Sequence, residues 1–294
     1  MRVARLASPT VPRRRLGAEL RRLRERKGMT GQDVAAQLKD RTGRRWSDSK
    51  ISRIETGRVS ATVGDVRDML DLYEVTDPDT RNALFGLARE AVQQGWWQPY
   101  NDLLSRNYAT FIDLEAAAAW MRIFEPLVVP GLLQTPAYAR EIIRKGGPLE
   151  LDENELERRV ELRMRRQTVA QESGLSLWVV LDEAVLHKQV GDKQVMRAQL
   201  ERLVTEARTS RLALHVIPSE SGGHAATSGA FGIFVFPDDD DRDSVYVDTM
   251  AGTLYLDRPS DVAAANLVFD HLLVAALNSD DSLALIAAVA EKYR

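Results

Sequence analysis

The sequence predicts a mainly α protein in two parts: five short helices over residues 13–95, then a larger α+β domain with a small mixed sheet over residues 96–294. Three observations lead there. Apolar residues recur at helical spacing through the first part, interrupted by capping and turn residues. Runs rich in β-branched and aromatic residues gather in the last third. Charge is segregated: residues 1–67 hold 18 Lys/Arg against 7 Asp/Glu, a net of +11, whereas the other 227 residues hold 22 against 36, a net of −14.

Residues 1–12 carry two prolines and two arginines without apolar periodicity and read as a mobile basic arm. Leu16, Leu20 and Leu23 then mark a first helix, which ends at Gly28. Thr30 caps a second, with Val34, Ala35 and Leu38 inward. Residues 39–45 (KDRTGRR) read as a polar, basic loop. Ser47 caps a third helix with Ile51 and Ile54 inward, stopped by Gly57. Thr62 and Asp65 form a capping-box variant for a fourth, carrying Val66, Met69, Leu70 and Tyr73. A fifth starts near Asp77–Pro78 and runs to about Gln94, and GWWQPY at 95–100 breaks the pattern.

Beyond that break, residues 108–124 read as helix, Thr135–Pro136 opens another with proline in its first turn, and residues 152–171 form a highly charged one. LSLWVVL (175–181), LALHVI (212–217), FGIFVF (231–236), 244–247 and 253–256 read as strands. A helix at 195–209 makes the first two a candidate βαβ pair, and short turns suit antiparallel pairing of the later ones. Ser260 starts a final helical region.

A basic module on an acidic body is the footprint of a nucleic-acid-binding domain carried by a second domain. No cysteine is present, which excludes disulfides and thiolate metal sites and fits a reducing compartment. No apolar run approaches the roughly 20 residues needed to span a bilayer, so no membrane partner is expected. Met1–Arg15 lacks the apolar stretch of a signal peptide, so a cytoplasmic, nucleoid-associated protein is expected.

In such a helix pattern the second helix packs across the third, and the third enters the major groove with its N-terminal residues on base edges. Ser49, Ser52, Arg53 and Thr56 are spaced i, i+3, i+4 and i+7 and line one face, with Asp48 beside them. Short polar side chains plus one guanidinium suit base readout, because the Arg53 fork matches guanine O6 and N7. Lys50 flanks the face and suits a phosphate or an adjacent base. Asp48 either accepts from cytosine N4 or acts only as a first-turn acid favoured by the helix dipole.

Residues 28–75, and the run SKISRIETG at 49–57 above all, resemble the phage-repressor and xenobiotic-response-element class of helix-turn-helix domains. The resemblance implies base reading at Asp48, Ser49, Ser52 and Arg53. It implies phosphate contacts at Thr30, Gln32 and Thr62, and a structural ion pair between Arg24 and Glu55. Arg58 joins the DNA-binding set. One departure is the connection at 39–45, longer than the tight turn of that class. Its Arg44 and Arg45 either contact phosphates or belong to a solvated loop.

The region from about 97 to 290 resembles the C-terminal domain of actinobacterial regulators of the WhiJ type, through IFEPLVVPGLLQ (123–134), LDEAVL (181–186), LHVIPSESGGHAATSG (214–229) and VYVDTMAGTLYLD (245–257). That resemblance implies a domain without assigned chemistry, working through a small partner protein encoded nearby or a small-molecule effector. Glu115, Glu125, Asp182 and Glu183 are the candidate acids, with Glu125 read chiefly as a buried, hydrogen-bonded carboxylate. His187, His215, His224 and His271 have no metal-ligand spacing, so neither metal nor cofactor is expected. His224 and Ser228, in a Gly-rich loop, form a possible ligand loop. The arginines at 158, 159, 163, 165 and 166 read either as a solvated, ion-paired helix face or as added DNA contacts. Trp96, Trp97, Tyr100 and Trp120 suit either an interface or core packing.

The sequence thus predicts a transcription regulator that binds double-stranded DNA and is not an enzyme. A homodimer on a palindromic operator is expected, since symmetric dimers match paired half-sites. The rivals are a DNA-targeted enzyme with a cryptic active site in the second domain, and a protein-interaction adaptor.

Overall fold

The computed structural model describes residues 8–146, 151–238, 240–249 and 252–294. The chain divides into two compact units, with the boundary between Gln98 and Pro99 and a short acidic segment, 238–241, grouped with the first. The fold is mostly helical, with a six-stranded mixed sheet in the second unit.

The first unit is built from α1 (Thr10–Arg26), α2 (Gly31–Thr42), α3 (Asp48–Glu55), α4 (Val63–Leu72) and α5 (Pro78–Glu90). Leu16, Leu20, Val34, Leu38, Ile51, Ile54, Val66, Met69 and Leu70 form one buried core. The caps follow the sequence. Thr30 and Thr62 each accept from the amide three residues on, and Asp33 and Asp65 return the bond to the cap amide. Ser47 accepts from the Lys50 amide, and Asp77 caps α5 with Pro78 in its first turn.

Two boundaries differ from expectation. α1 begins at Thr10, so residues 10–12 of the expected arm are helical; Pro12 sits in the first turn, where its missing N–H has no helical partner to lose. Residues 1–7 lie outside the described residues. The expected loop at 39–45 is half helix: α2 continues to Thr42 and is stopped by Gly43 in the left-handed conformation, φ 65°.

The second unit orders its strands β3-β2-β1-β4-β5-β6: β1 is Trp120–Glu125, β2 Ser176–Asp182, β3 Leu212–Ile217, β4 Phe231–Val235, β5 Ser244–Thr249 and β6 Gly252–Leu256. β1, β2 and β3 are parallel; the short α9 (Ala184–His187) follows β2, and α10 (Lys193–Glu206) makes the expected crossover from β2 to β3. β4, β5 and β6 form the expected antiparallel meander, and β4 also pairs antiparallel with β1.

The expected helix at 108–124 is instead α6 (Arg106–Ala117) followed by β1. β1 is flanked by β2 and β4, so its neighbours in space, far away in sequence, override the helical reading. Arg122 and Phe124 face α11 (Pro259–Ala275), with Val180, Ile233, Phe269 and Leu272. Met121 and Ile123 face the opposite way with Tyr246 and Phe234, where Phe111 of α6 packs edge-on to both rings. α7 (Pro136–Gly146) and α8 (Glu153–Ser173) complete that side, and the last helical region breaks into α11 and α12 (Ser279–Glu291), capped by Asn278. Trp120 stays 47 % exposed and packs edge-on to Trp178.

Candidate nucleic-acid interface

α3 is only eight residues long, so its position depends on what holds it. Ile51 and Ile54 are buried in the core, and Trp46 and Ile51 occupy the two positions of a hydrophobic staple at its start. Asp48, Ser49, Ser52, Arg53 and Thr56 are exposed. Arg53 Nε donates to the Ser49 carbonyl at 3.1 Å, which lays the side chain back along the helix toward its N-terminal end. Its two Nη groups meet no acceptor among the described residues. Gly57, at φ 66°, ends the helix, and the Arg58 and Val59 amides close onto the Arg53 carbonyl.

Three contacts lock the helix. Arg24 of α1 grips Glu55 bidentately, Nε to Oε1 at 2.6 Å and Nη2 to Oε2 at 2.8 Å, and its Nη1 donates to the Met29 carbonyl. This is the expected ion pair. At Gly17 the backbones of α1 and α3 come together: a Cβ there would lie 2.5 Å from the Ile54 oxygen and 2.7 Å from the Glu55 oxygen. Only glycine permits this approach. Third, Asp65, buried at 4 % exposure, links three segments. Its Oδ2 takes the Thr62 amide, and its Oδ1 takes Lys50 Nζ at 3.1 Å and Arg44 Nη2 at 2.8 Å. Burial pushes its pKa up, but the Lys50 bond and the bonds from Thr62 outweigh that and hold it below the usual carboxylate range.

Arg44 is therefore bound to the fourth helix, because its Nη1 also donates to Asp68 at 2.7 Å. Lys50 lies 4.0 Å from the centre of the Trp46 ring, a cation–π contact that fixes the same corner. Asp48 sits against Gly31, the first residue of α2, so its charge faces the N-terminal ends of two helices. Thr30 and Thr62 have their hydroxyls engaged in caps. Gln32, Arg45 and Arg58 are exposed, and neither arginine has an acidic partner among the described residues. Sequence reasoning missed Gly17, Trp46 and the second role of Asp65. A glycine inside a leucine-periodic helix and a tryptophan just before an N-cap were the available signals.

In the second unit the candidate acids fall in two places: Glu115 and Glu125 line one cavity, and Asp182 and Glu183 lie at the end of β2. Glu115 is locked to Arg166. Glu183 takes the Ser219 amide and lies 3.1 Å from His187, interactions that hold it below its usual range. Glu125 has no hydrogen-bond donor among the described residues, unlike the bonded carboxylate expected. His215 Nδ1 lies 3.0 Å from the Leu277 carbonyl. His224 turns inward, edge-on to Phe124 and 3.7 Å from Asp182, while Ser228 is exposed. The arginine run splits. Arg158, Arg159 and Arg165 pair with Asp102, Glu155 and Glu172, whereas Arg163 and Arg166 turn into the domain because Gln134, Glu115 and Tyr108 receive them there.

Residues 15–84 match the family described as Helix-turn-helix domain, and residues 108–288 match the one described as Domain of unknown function (DUF5753). No curated protein and no solved structure matches the chain.

Proposed function

The chain belongs to the family of the domain of unknown function DUF5753, and we propose that it is a sequence-specific transcription regulator of double-stranded DNA. Its first unit is a helix-turn-helix domain, which makes it a DNA-binding regulator in general terms. The observation that carries the finer reading is the α3 surface: exposed short polar side chains and the Arg53 guanidinium, whose two Nη groups meet no acceptor among the described residues, on a helix clamped at Gly17, Glu55 and Lys50. A rigid helix holding Arg53 in this way suits base readout in the major groove.

The reading assigns phosphate contacts to Arg45, Arg58, Gln32 and the helix N-termini at Thr30 and Thr62. Arg44 becomes a positioning residue for α3 rather than a free phosphate ligand. The second domain, similar in sequence pattern to WhiJ-type regulators, dimerises and receives a signal, and performs no catalysis. The test is selection of bound duplexes from a random library with the full-length protein. An inverted repeat should emerge, with half-sites about one helical turn apart and two chains per duplex. Affinity should fall steeply with salt, log K losing about 0.9 per phosphate neutralised for each log unit of salt. Recovery of no preferred sequence, with salt-insensitive binding, would favour the polypeptide adaptor.

A further inference from the structure

A cavity of about 190 Å3 lies within the second domain, between the sheet and the helices α6 and α8. One water needs roughly 10–15 Å3 by this measure, so the space suits a molecule on the order of ten non-hydrogen atoms. Its floor follows from strand register. Phe124 of β1 pairs with Phe231, and Phe231 pairs with Val247 of β5. The next residues, Glu125 at the end of β1 and Asp248 one before the end of β5, therefore lie in one row on two strands running in the same direction, roughly 10 Å apart. Both alternate onto the face of Ile123 and Tyr246. Gly232 lets the Tyr246 ring lie across β4: a Cβ there would meet the ring at 2.2 Å.

The opposite wall is basic. Arg166 is fully used, by Glu115 and by the Tyr108 hydroxyl. Arg163 is not: its Nη1 donates to Gln134 at 2.6 Å, but its Nε is buried without an acceptor among the described residues. No ion pair joins it to Glu125 or Asp248 among those residues. The cavity thus has an acidic end, Glu125 beside the exposed Asp248, which takes the Thr253 hydroxyl at 2.6 Å, and a guanidinium end at Arg163. Between them run apolar walls, including Val128, Leu132 and Ile142. Arg163 is the buried charge here, its pKa pulled down chiefly by burial, so that end favours an anion, while at the other end a cation favours the ionised form of Glu125.

We propose that this cavity binds a small zwitterion, an aliphatic α-amino acid, with its ammonium group at Glu125 and Asp248 and its carboxylate at Arg163. The apolar walls take the side chain. This deepens the regulatory reading by giving the sensing domain a ligand class, yet binding itself requires no DNA. Burial, and then the nearby Asp248, push Glu125 up to about 8. It therefore holds a proton at neutral pH. The charged and titratable groups around it are Tyr108 and Glu115 on α6, Tyr138 on α7, Arg163 and Arg166 on α8, and Tyr246 and Asp248 on β5. An ammonium group favours the ionised carboxylate. Binding therefore releases a proton, and affinity rises with pH up to about 8 and then levels off.

The test is calorimetry on the full-length protein with L-leucine, L-isoleucine, L-valine and L-methionine in turn, beside 3-methylbutylamine and 4-methylpentanoate. At least one amino acid should bind, with heat that scales with buffer ionisation, and about tenfold or more tighter than either half-molecule. Glu125→Gln, which removes a buried ionisable group, should fold with an unchanged or higher Tm, bind about tenfold or more weakly, and lose the pH dependence. No binding at about 10 mM, equal affinity in Glu125→Gln, or equal affinity for a half-molecule would each overturn the proposal. DNA affinity with and without the bound amino acid is measured separately: no change there contradicts the regulatory coupling and leaves the binding site standing.

Discussion

Glu55→Ala is expected to cost the helix-turn-helix domain about 3–5 kcal/mol, a large share of the stability of any single domain. Truncation leaves the Arg24 guanidinium facing a corner where the side chains of Arg24 and Glu55 are only 14 % and 6 % exposed. The bond from Glu55 is the leading reason Arg24 sits above its usual pKa, against an opposing effect of burial. Tyr73, whose buried hydroxyl has no hydrogen-bond partner among the described residues, is held neutral in the same corner, its pKa raised chiefly by burial and then by Glu55. The ion pair also ties the C-terminal turn of α3 to α1. Its loss should appear as faster amide exchange in α1 and α3 and as lost duplex binding. A change under about 1 kcal/mol would mean that water screens this pair as it does surface ones.

In the second domain, Glu115→Ala is expected to be as damaging, about 3–5 kcal/mol. Arg166 and Glu115 are 6 % and 3 % exposed, joined at 2.9 and 2.6 Å, with Arg166 also over the Phe111 and Tyr108 rings. The informative comparison is the double variant Glu115→Leu with Arg166→Met. Replacing both charges by apolar groups removes the desolvation cost along with the attraction, so the double variant should recover most of the loss. Denaturant melts of wild type, Glu115→Ala and the double variant check this. A double variant as unstable as the single one would show that Tyr108, left without its Arg166 partner, carries the effect instead.

The helices of the first domain were legible because their signals are local. Thr30, Ser47, Thr62 and Asp77 each bond within three residues of themselves, and the inward apolar residues repeat at helical spacing. What was not legible is non-local. β1 is a strand because β2 and β4 flank it, and an alanine-rich lead-in hides it. Arg44 reads as a loop cation until Asp65 and Asp68, more than twenty positions on, take its guanidinium. Arg163 and Arg166 lie on a helix whose charge density suggests solvent. Their inward turn depends on Glu115, Gln134 and Tyr108, all brought in by other elements. The exposed α3 face was read from spacing alone, because a helix fixed by Ile51 and Ile54 leaves Ser49, Ser52, Arg53 and Thr56 outside.

The proposed division of labour has Arg53 reading a base while Arg45 and Arg58 hold the phosphate backbone. The direct measurement is the affinity of wild type, Arg53→Ala and Arg45→Ala for the selected operator and for a scrambled duplex across a salt series. Arg53→Ala should lose about 1–3 kcal/mol per half-site on the operator and little on the scrambled duplex. Arg45→Ala should weaken both alike and flatten the salt slope by about one unit per chain. An operator-to-scrambled ratio left intact by Arg53→Ala would contradict the assignment of α3 as the reading helix.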